Sequence, residues 1–255
     1  MKKTILHTEN ITIGYPNKIV SKQISIHLNP GNLITLIGVN GVGKSTLIRT
    51  ITGIIRPLKG DVFLNDSNLN TYTTWDLAKQ ISVVLTDKLP PSNLTVYELV
   101  ALGRQPYTNW LGQLNTEDYK KVEEAILLTE IEHLKHKKHY ELSDGQLQKV
   151  LIARALAQDT PLIVLDEPTT HLDLVHKVSV YKLLKKLALQ TNKCILVSTH
   201  DMDLSLQMSD EIIVLTKKQV YHNTPQQLVN DGIFEKLFVH DDIYFDKVRA
   251  KFIIK

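Results

Sequence analysis

The run Gly38-Val39-Asn40-Gly41-Val42-Gly43-Lys44-Ser45 fits the pattern G-x-x-x-x-G-K-[ST]. Residues of these types at this spacing bind phosphate. Glycines let the backbone approach an anion and turn its N–H groups inward. A helix starting near Lys44 directs its positive end at the same anion. Lys44 is then placed to reach the β and γ phosphates of a nucleotide, and the Ser45 hydroxyl to ligate Mg2+. The context fits: Leu33-Ile34-Thr35-Leu36-Ile37 reads as a buried strand just before the loop, and Thr46 to Ile55 reads as a helix stopped by Pro57. A guanine-reading protein would need N-K-x-D. The nearest string is Asn192-Lys193-Cys194-Ile195, where Ile195 cannot accept the guanine hydrogen bonds, which argues against a GTPase.

Those residues need a scaffold, and the hydrophobic pattern supplies one. Ile11-Thr12-Ile13 and Ile24-Ser25-Ile26-His27-Leu28 alternate with the period of half-buried strands. Thr95 with Glu98 three residues on predicts a capping box opening a short helix, and Thr116 to Thr129 carries apolar residues at helical spacing. Residues 88 to 157 therefore read as mostly helical. Strand and helix then alternate: Leu162 to Leu165, a helix over Val175 to Leu189, Cys194 to Val197, and Ile212 to Leu215. This order predicts an α/β fold with a parallel sheet and crossover helices, into which the helical stretch is inserted.

The 255 residues are 43% hydrophobic and 22% charged, an ordinary globular composition. The formal charge is only +3, from 30 basic and 27 acidic residues. With no basic stripe and few arginines, nucleic acid is not an expected partner. The single cysteine, Cys194, allows no intrachain disulfide, which suits a reducing compartment. No apolar run approaches the roughly 18 residues of a membrane span.

Four more strings follow the phosphate loop in order: Leu142-Ser143-Asp144-Gly145-Gln146, the hydrophobic run Leu162 to Leu165 ending in Asp166-Glu167-Pro168, then His171-Leu172-Asp173, and Ser198-Thr199-His200-Asp201. Together they resemble the nucleotide-binding subunit of ABC-type ATPases, and the resemblance covers essentially the whole chain. It implies a RecA-like parallel core, an N-terminal antiparallel β subdomain and an inserted helical subdomain, in one domain spanning residues 1–255. Residues 38 to 46, through Thr46, match Walker A, and residues 162 to 167 match Walker B. Tyr15 matches the aromatic residue that stacks on adenine. Ser143, Asp144, Gly145 and Gln146 match the signature, usually L-S-G-G-Q, with Asp144 in place of a glycine. Asp173 matches the D-loop aspartate and His200 the switch histidine.

By this resemblance Asp166 would hold Mg2+ through water, and Glu167 would polarise the attacking water as general base. Such a base contributes about 10² to 10⁴ in rate. His200 would bond the γ-phosphate, while Ser143 and the Gly145 backbone would bind the ATP of a second subunit. A head-to-tail homodimer enclosing two ATP molecules is implied.

The string Thr95 to Tyr107, with Gly103-Arg104-Gln105-Pro106-Tyr107 at its end, looks like importers for iron–siderophore, haem and vitamin B12 complexes, near their docking surface. The implied partners are an integral-membrane permease and, indirectly, a substrate-binding protein, with the chain on the cytoplasmic face of the membrane. An exporter ATPase or a soluble ABC ATPase is the alternative. One departure stands out: Thr86 occupies the position of the Q-loop glutamine, and its hydroxyl reaches a metal or water less easily. The His133, His136, His139 spacing invites a metal reading, but Lys135, Lys137 and Lys138 between them repel a cation and favour a charged surface turn.

Overall fold

The computed structural model describes residues 4–85, 92–237, 243–247 and 249–254. Thr86, residues 88–91 of the helical stretch, and part of the segment after Asp241 lie outside the described residues.

The chain opens with β1 (Leu6–Tyr15), β2 (Lys18–Ile24), β3 (His27–Leu28) and β4 (Leu33–Ile37), then α1 (Lys44–Ile51), β5 (Lys59–Leu64) and β6 (Ser67–Asn68). Next come α2 (Thr74–Ala78), β7 (Ile81–Val84), α3 (Val96–Ala101), α4 (Thr116–Leu128) and α5 (Asp144–Ala157). The remainder is β8 (Leu162–Asp166), α6 (Leu174–Thr191), β9 (Cys194–Ser198), α7 (Met202–Met208), β10 (Glu211–Leu215), β11 (Val220–Asn223), α8 (Pro225–Asn230), β12 (Ile243–Asp246) and β13 (Lys251–Ile254).

An antiparallel sheet joins β2, β1, β5 and β6 in that order, with β3 also on β1. The central sheet runs β11-β10-β4-β9-β8-β7 and is parallel except for β11. Its core strands are unbroken apolar runs because both faces are covered. Ile163, Leu165, Ile195 and Val197 pack with the helices α3 to α6. Leu162, Val164, Cys194 and Leu196 face the other way, against α1 and the antiparallel sheet. Cys194 is fully buried, and burial pushes its thiol well above the usual range, so it acts as a small apolar residue. A third cluster joins Ile212 and Val214 of β10 to Phe234 and to Phe245 and Phe252 of the terminal hairpin.

Two expected elements differ. The run Ile24 to Leu28 is not one strand: β2 stops at Ile24 and β3 pairs a different part of β1. Thr8 bridges the gap. Its N–H donates to Ile26 O at 3.0 Å, and its hydroxyl donates to Ile24 O and accepts from Ile26 N–H. Ile24, Ile26 and Leu28 all stay buried through the break, so the alternation gives no sign of it. Helix α1 ends at Ile51, not at Ile55. The Thr50 and Thr52 hydroxyls bond back to Thr46 O and Ile48 O at 2.8 Å, and Ile55 N–H returns to Arg49 O, turning the chain.

Between β7 and β8 stand α3, α4 and α5. Thr95 and Glu98 form the expected capping box, and the Thr95 N–H and then its hydroxyl hold the Glu98 carboxyl below its ordinary range. The string Gly103 to Tyr107 is the joint of this helical layer. A Cβ on Gly103 would lie 2.2 Å from Arg154 O, so only glycine lets α5 approach. Arg104 is buried. It donates to Asp118 Oδ1 at 2.9 Å and to Ala157 O at 2.8 Å, under the Tyr107 ring. Asp118 also caps α4 by accepting from Asn115 N–H. Removing Arg104 would leave a buried carboxylate uncompensated. Arg104→Ala should destabilise the fold by about 3–5 kcal/mol, measured by urea unfolding. A loss under about 1 kcal/mol, the range of exposed ion pairs, would mean that this pair does not hold the helices together.

Candidate functional site

The central sheet brings three chain segments to one edge. Strands β4, β9 and β8 lie side by side, with Leu36 opposite Ser198 and Asp166 opposite Ser198 on its other flank. Residues just past their carboxyl ends therefore converge, the usual place for a ligand in such sheets.

Past β4 comes the glycine loop. A Cβ on Gly38 would lie 2.4 Å from Leu215 O of the neighbouring strand. Gly43 sits at φ +112°, and a Cβ there would meet Val20 at 2.3 Å, so conformation and space both require glycine. Gly43 is the N-cap of α1 and offers no side-chain acceptor. Among the described residues, the other seven α-helices begin with a Thr, Asn, Ser or Asp side chain that caps them. The first turn of α1 thus keeps N–H donors free for an anion. Lys44 is buried and its Nζ donates to Gly38 O at 3.0 Å, folded back over the loop.

An open cavity of about 630 Å3 lies over this loop. It is lined by Tyr15, Lys18, residues 40–46, Glu167 and Lys217 among others. Tyr15 is half-exposed at the end of β1. Three lysines against one carboxylate give the cavity a field that favours a polyanion. The sequence reading missed Lys18, which opens β2, and Lys217, in the bend between β10 and β11: neither carries a motif.

Strand β8 ends at Asp166, and Glu167 follows it. Asp166 is buried and accepts a short hydrogen bond from the Ser198 hydroxyl. Glu167 takes a left-handed conformation, φ +49°, which costs a non-glycine residue about 1–3 kcal/mol. Its N–H donates to both Ser198 O and Ser198 Oγ at 3.1 Å. Its Oε2 accepts from the Thr170 hydroxyl at 3.1 Å and lies 3.2 Å from His200 Nδ1. The expected acid and histidine are thus in contact, held by Ser198 and Thr170, to which no role was given from sequence. Ser198 stood in a string already noted.

Ser143, Asp144, Gly145 and Gln146 lie elsewhere. Ser143 is the N-cap of α5, exchanging bonds with Gln146 in a capping box. None of the four lines the phosphate-loop cavity. Asp144 and Glu167 line a second one, of about 320 Å3. Asp173 caps α6, and the His176 N–H, then its ring, hold the Asp173 carboxyl below its ordinary range. Of the histidine trio, His139 is buried and His133 and His136 are exposed.

The ABC transporter family description matches residues 21–170, which include the glycine loop, the Ser143–Gln146 turn and Asp166-Glu167. The chain belongs to the ABC transporter family. It is an ATP-binding subunit that hydrolyses ATP to drive transport. The iron(3+)-hydroxamate import ATP-binding protein FhuC of Bacillus subtilis is 37% identical over 92% of this chain and 88% of its own length. Among solved structures, cbiO1 of Clostridium perfringens, part of the transporter complex cbiONQ, superposes with a TM-score of 0.80 at 28% identity, covering 92% of this chain and 94% of that one. The dimeric bacterial ABC transporter cassette MJ0796 gives 0.71 at 28% identity, covering 86% and 98%.

Two predictions follow from the site geometry in this ATPase. Lys44→Ala should abolish ATP binding in a nucleotide titration while the fold persists; undiminished affinity would remove the loop from the site. Ser198→Ala should leave Asp166 and the Glu167 N–H short of a partner. It should cost about 1–3 kcal/mol in unfolding and lower kcat with ATP affinity kept. Unchanged turnover would show that Ser198 does not position Glu167.

Proposed function

We propose that this subunit powers an importer for iron–siderophore, haem or cobalamin-type complexes. It would act as a homodimer on the cytoplasmic face of a permease, with a substrate-binding protein acting indirectly. The observation that carries the hydrolytic part is the pairing of Glu167 with His200 at the rim of the cavity that holds Lys44. The cargo class leans on the likeness to an iron-hydroxamate import protein. Dimerisation is supported by the dimeric cassette, and a membrane partner by the cbiONQ complex. Among the described residues no helix is long and apolar enough to cross a membrane.

ATP fits what is present. The uncapped turn of α1 and the buried Lys44 ammonium, bonded to the loop's own carbonyl, would accept β and γ phosphates. Tyr15, at the cavity edge, would stack on adenine. Mg2+ fits the donor set: the exposed Ser45 hydroxyl and the Asp166 carboxylate are hard oxygen ligands, and the ion would neutralise charge on the phosphate oxygens. Glu167 would take a proton from the attacking water, and His200 would hold that carboxylate in line. The turn Ser143–Gln146 would meet the nucleotide of the other protomer, since it lies off this protomer's own cavity. We also assign residues 1–255 to one ATPase domain with a helical subdomain at roughly 88–157.

The test uses tagged Glu167→Gln protein with MgATP, purified from native membranes in mild detergent. ATP retention without hydrolysis, and a co-purifying polytopic permease, are expected. Deleting the subunit should then abolish uptake of a radiolabelled ferric siderophore, haem or cobalamin. Full hydrolysis by Glu167→Gln would mean another base. Recovery of soluble factors alone would sink the transporter role, and cargo accumulation in the deletion strain would point to export.

A further inference from the structure

Gly145 is buried although Ser143 and Asp144 beside it are exposed. What covers it is the imidazole of His176. A Cβ on Gly145 would lie 2.7 Å from His176 Cδ2, 3.4 Å from Cγ and 3.5 Å from Nε2. The ring is not free to swing away. Its Nδ1 lies 2.9 Å from both carboxylate oxygens of Asp173, and the same carboxylate accepts the His176 backbone N–H at 2.9 Å. Yet the His176 side chain is 55% exposed, so its position does not come from burial in a core. It is set by the first turn of α6 and presented to the first turn of α5.

We propose that His176 is a positioning residue that fixes the turn Ser143–Gln146 against the start of α6, so that the two interface loops move as one body. The inference rests on the dimer reading above, in which that turn meets the partner's ATP. The connection runs further. The Thr170 hydroxyl bonds the Glu167 carbonyl and carboxylate, and the loop from there reaches the Asp173 cap within six residues. Lys177, next to His176, pairs with Asp201, next to His200, at 3.1 Å. A displacement of Glu167 or His200 at one nucleotide is thereby passed, through Asp173 and His176, to the turn that serves the other nucleotide. The glycine at position 145 then has a reason internal to the protomer, the approach of the imidazole, besides any approach of phosphate.

The experiment measures ATP-driven dimerisation in the Glu167→Gln background by sedimentation velocity. Binding of a fluorescent ATP analogue is titrated in parallel at protein concentrations too low for dimers. His176→Ala should weaken dimerisation by about tenfold while analogue binding stays within about twofold and the melting temperature is kept. His176→Asn retains a nitrogen donor for Asp173 but removes the ring from Gly145, so it should behave like His176→Ala. Parental dimerisation in His176→Ala would overturn the inference and leave the dimer reading standing. Full recovery in His176→Asn would also overturn it, because the histidine would then serve only the Asp173 cap. If Glu167→Gln itself stays monomeric with ATP, the dimer reading fails and this inference falls with it.

Discussion

The Ser198 hydroxyl donates to Asp166 and accepts from the Glu167 N–H, so one side chain on β9 fixes the last residue of β8 and the acid that follows it. The parallel register that puts Ser198 opposite Asp166 makes this possible, and the same strand pairs β4 on its other edge. Glycine loop, acids and His200 are thus held by adjacent rungs of one ladder. A one-residue slip would turn Asp166 to the other face and lose the contact. Glu167 bears the cost of leaving the ladder in a left-handed conformation, offset by two acceptors for its N–H and by Thr170 for its carboxylate. This acid can therefore face His200 and line the cavity rather than continue the strand.

The helix ends sort the surface by function. Among the described residues, seven α-helices have first turns closed by a capping side chain, each worth about 1 kcal/mol. Helix α1 forgoes that and starts from a glycine in a conformation that excludes other residues. On the proposed reading, its donors and the folded-back Lys44 are already in place for phosphate before a nucleotide arrives. The start of α5 shows the opposite: Ser143 and Gln146 satisfy each other, so this turn is complete in the isolated protomer.

Legibility followed the same division. Unbroken apolar runs revealed the central strands because both faces are covered, and Thr95 with Glu98 revealed a helix start because both groups of the box are local. The phosphate loop and the Asp166-Glu167 pair were legible as fixed spacings. What escaped depended on distant partners. Thr8 breaks the run Ile24 to Leu28 from another strand. Gly103 and Arg104 looked like a docking string yet serve the interior, through Asp118 and α5. Lys18 at the start of β2 and Lys217 in the bend after β10 reach the cavity from positions that carry no spacing rule. Thr86 was legible as a departure, but it lies outside the described residues.

Asp144 bears on how the two interface turns share charge. At the first residue of α5 an aspartate stabilises the helix dipole by about 0.3–1 kcal/mol, but it spends the same positive end that, on the proposed reading, meets the partner's γ-phosphate. A glycine there would leave that end unopposed. Beside it in this chain, the His176 ring packs against Gly145 and is held at Nδ1 by the Asp173 carboxylate. The turn is capped within the protomer, and on the proposed reading its fit to a second nucleotide is governed by how α6 holds it.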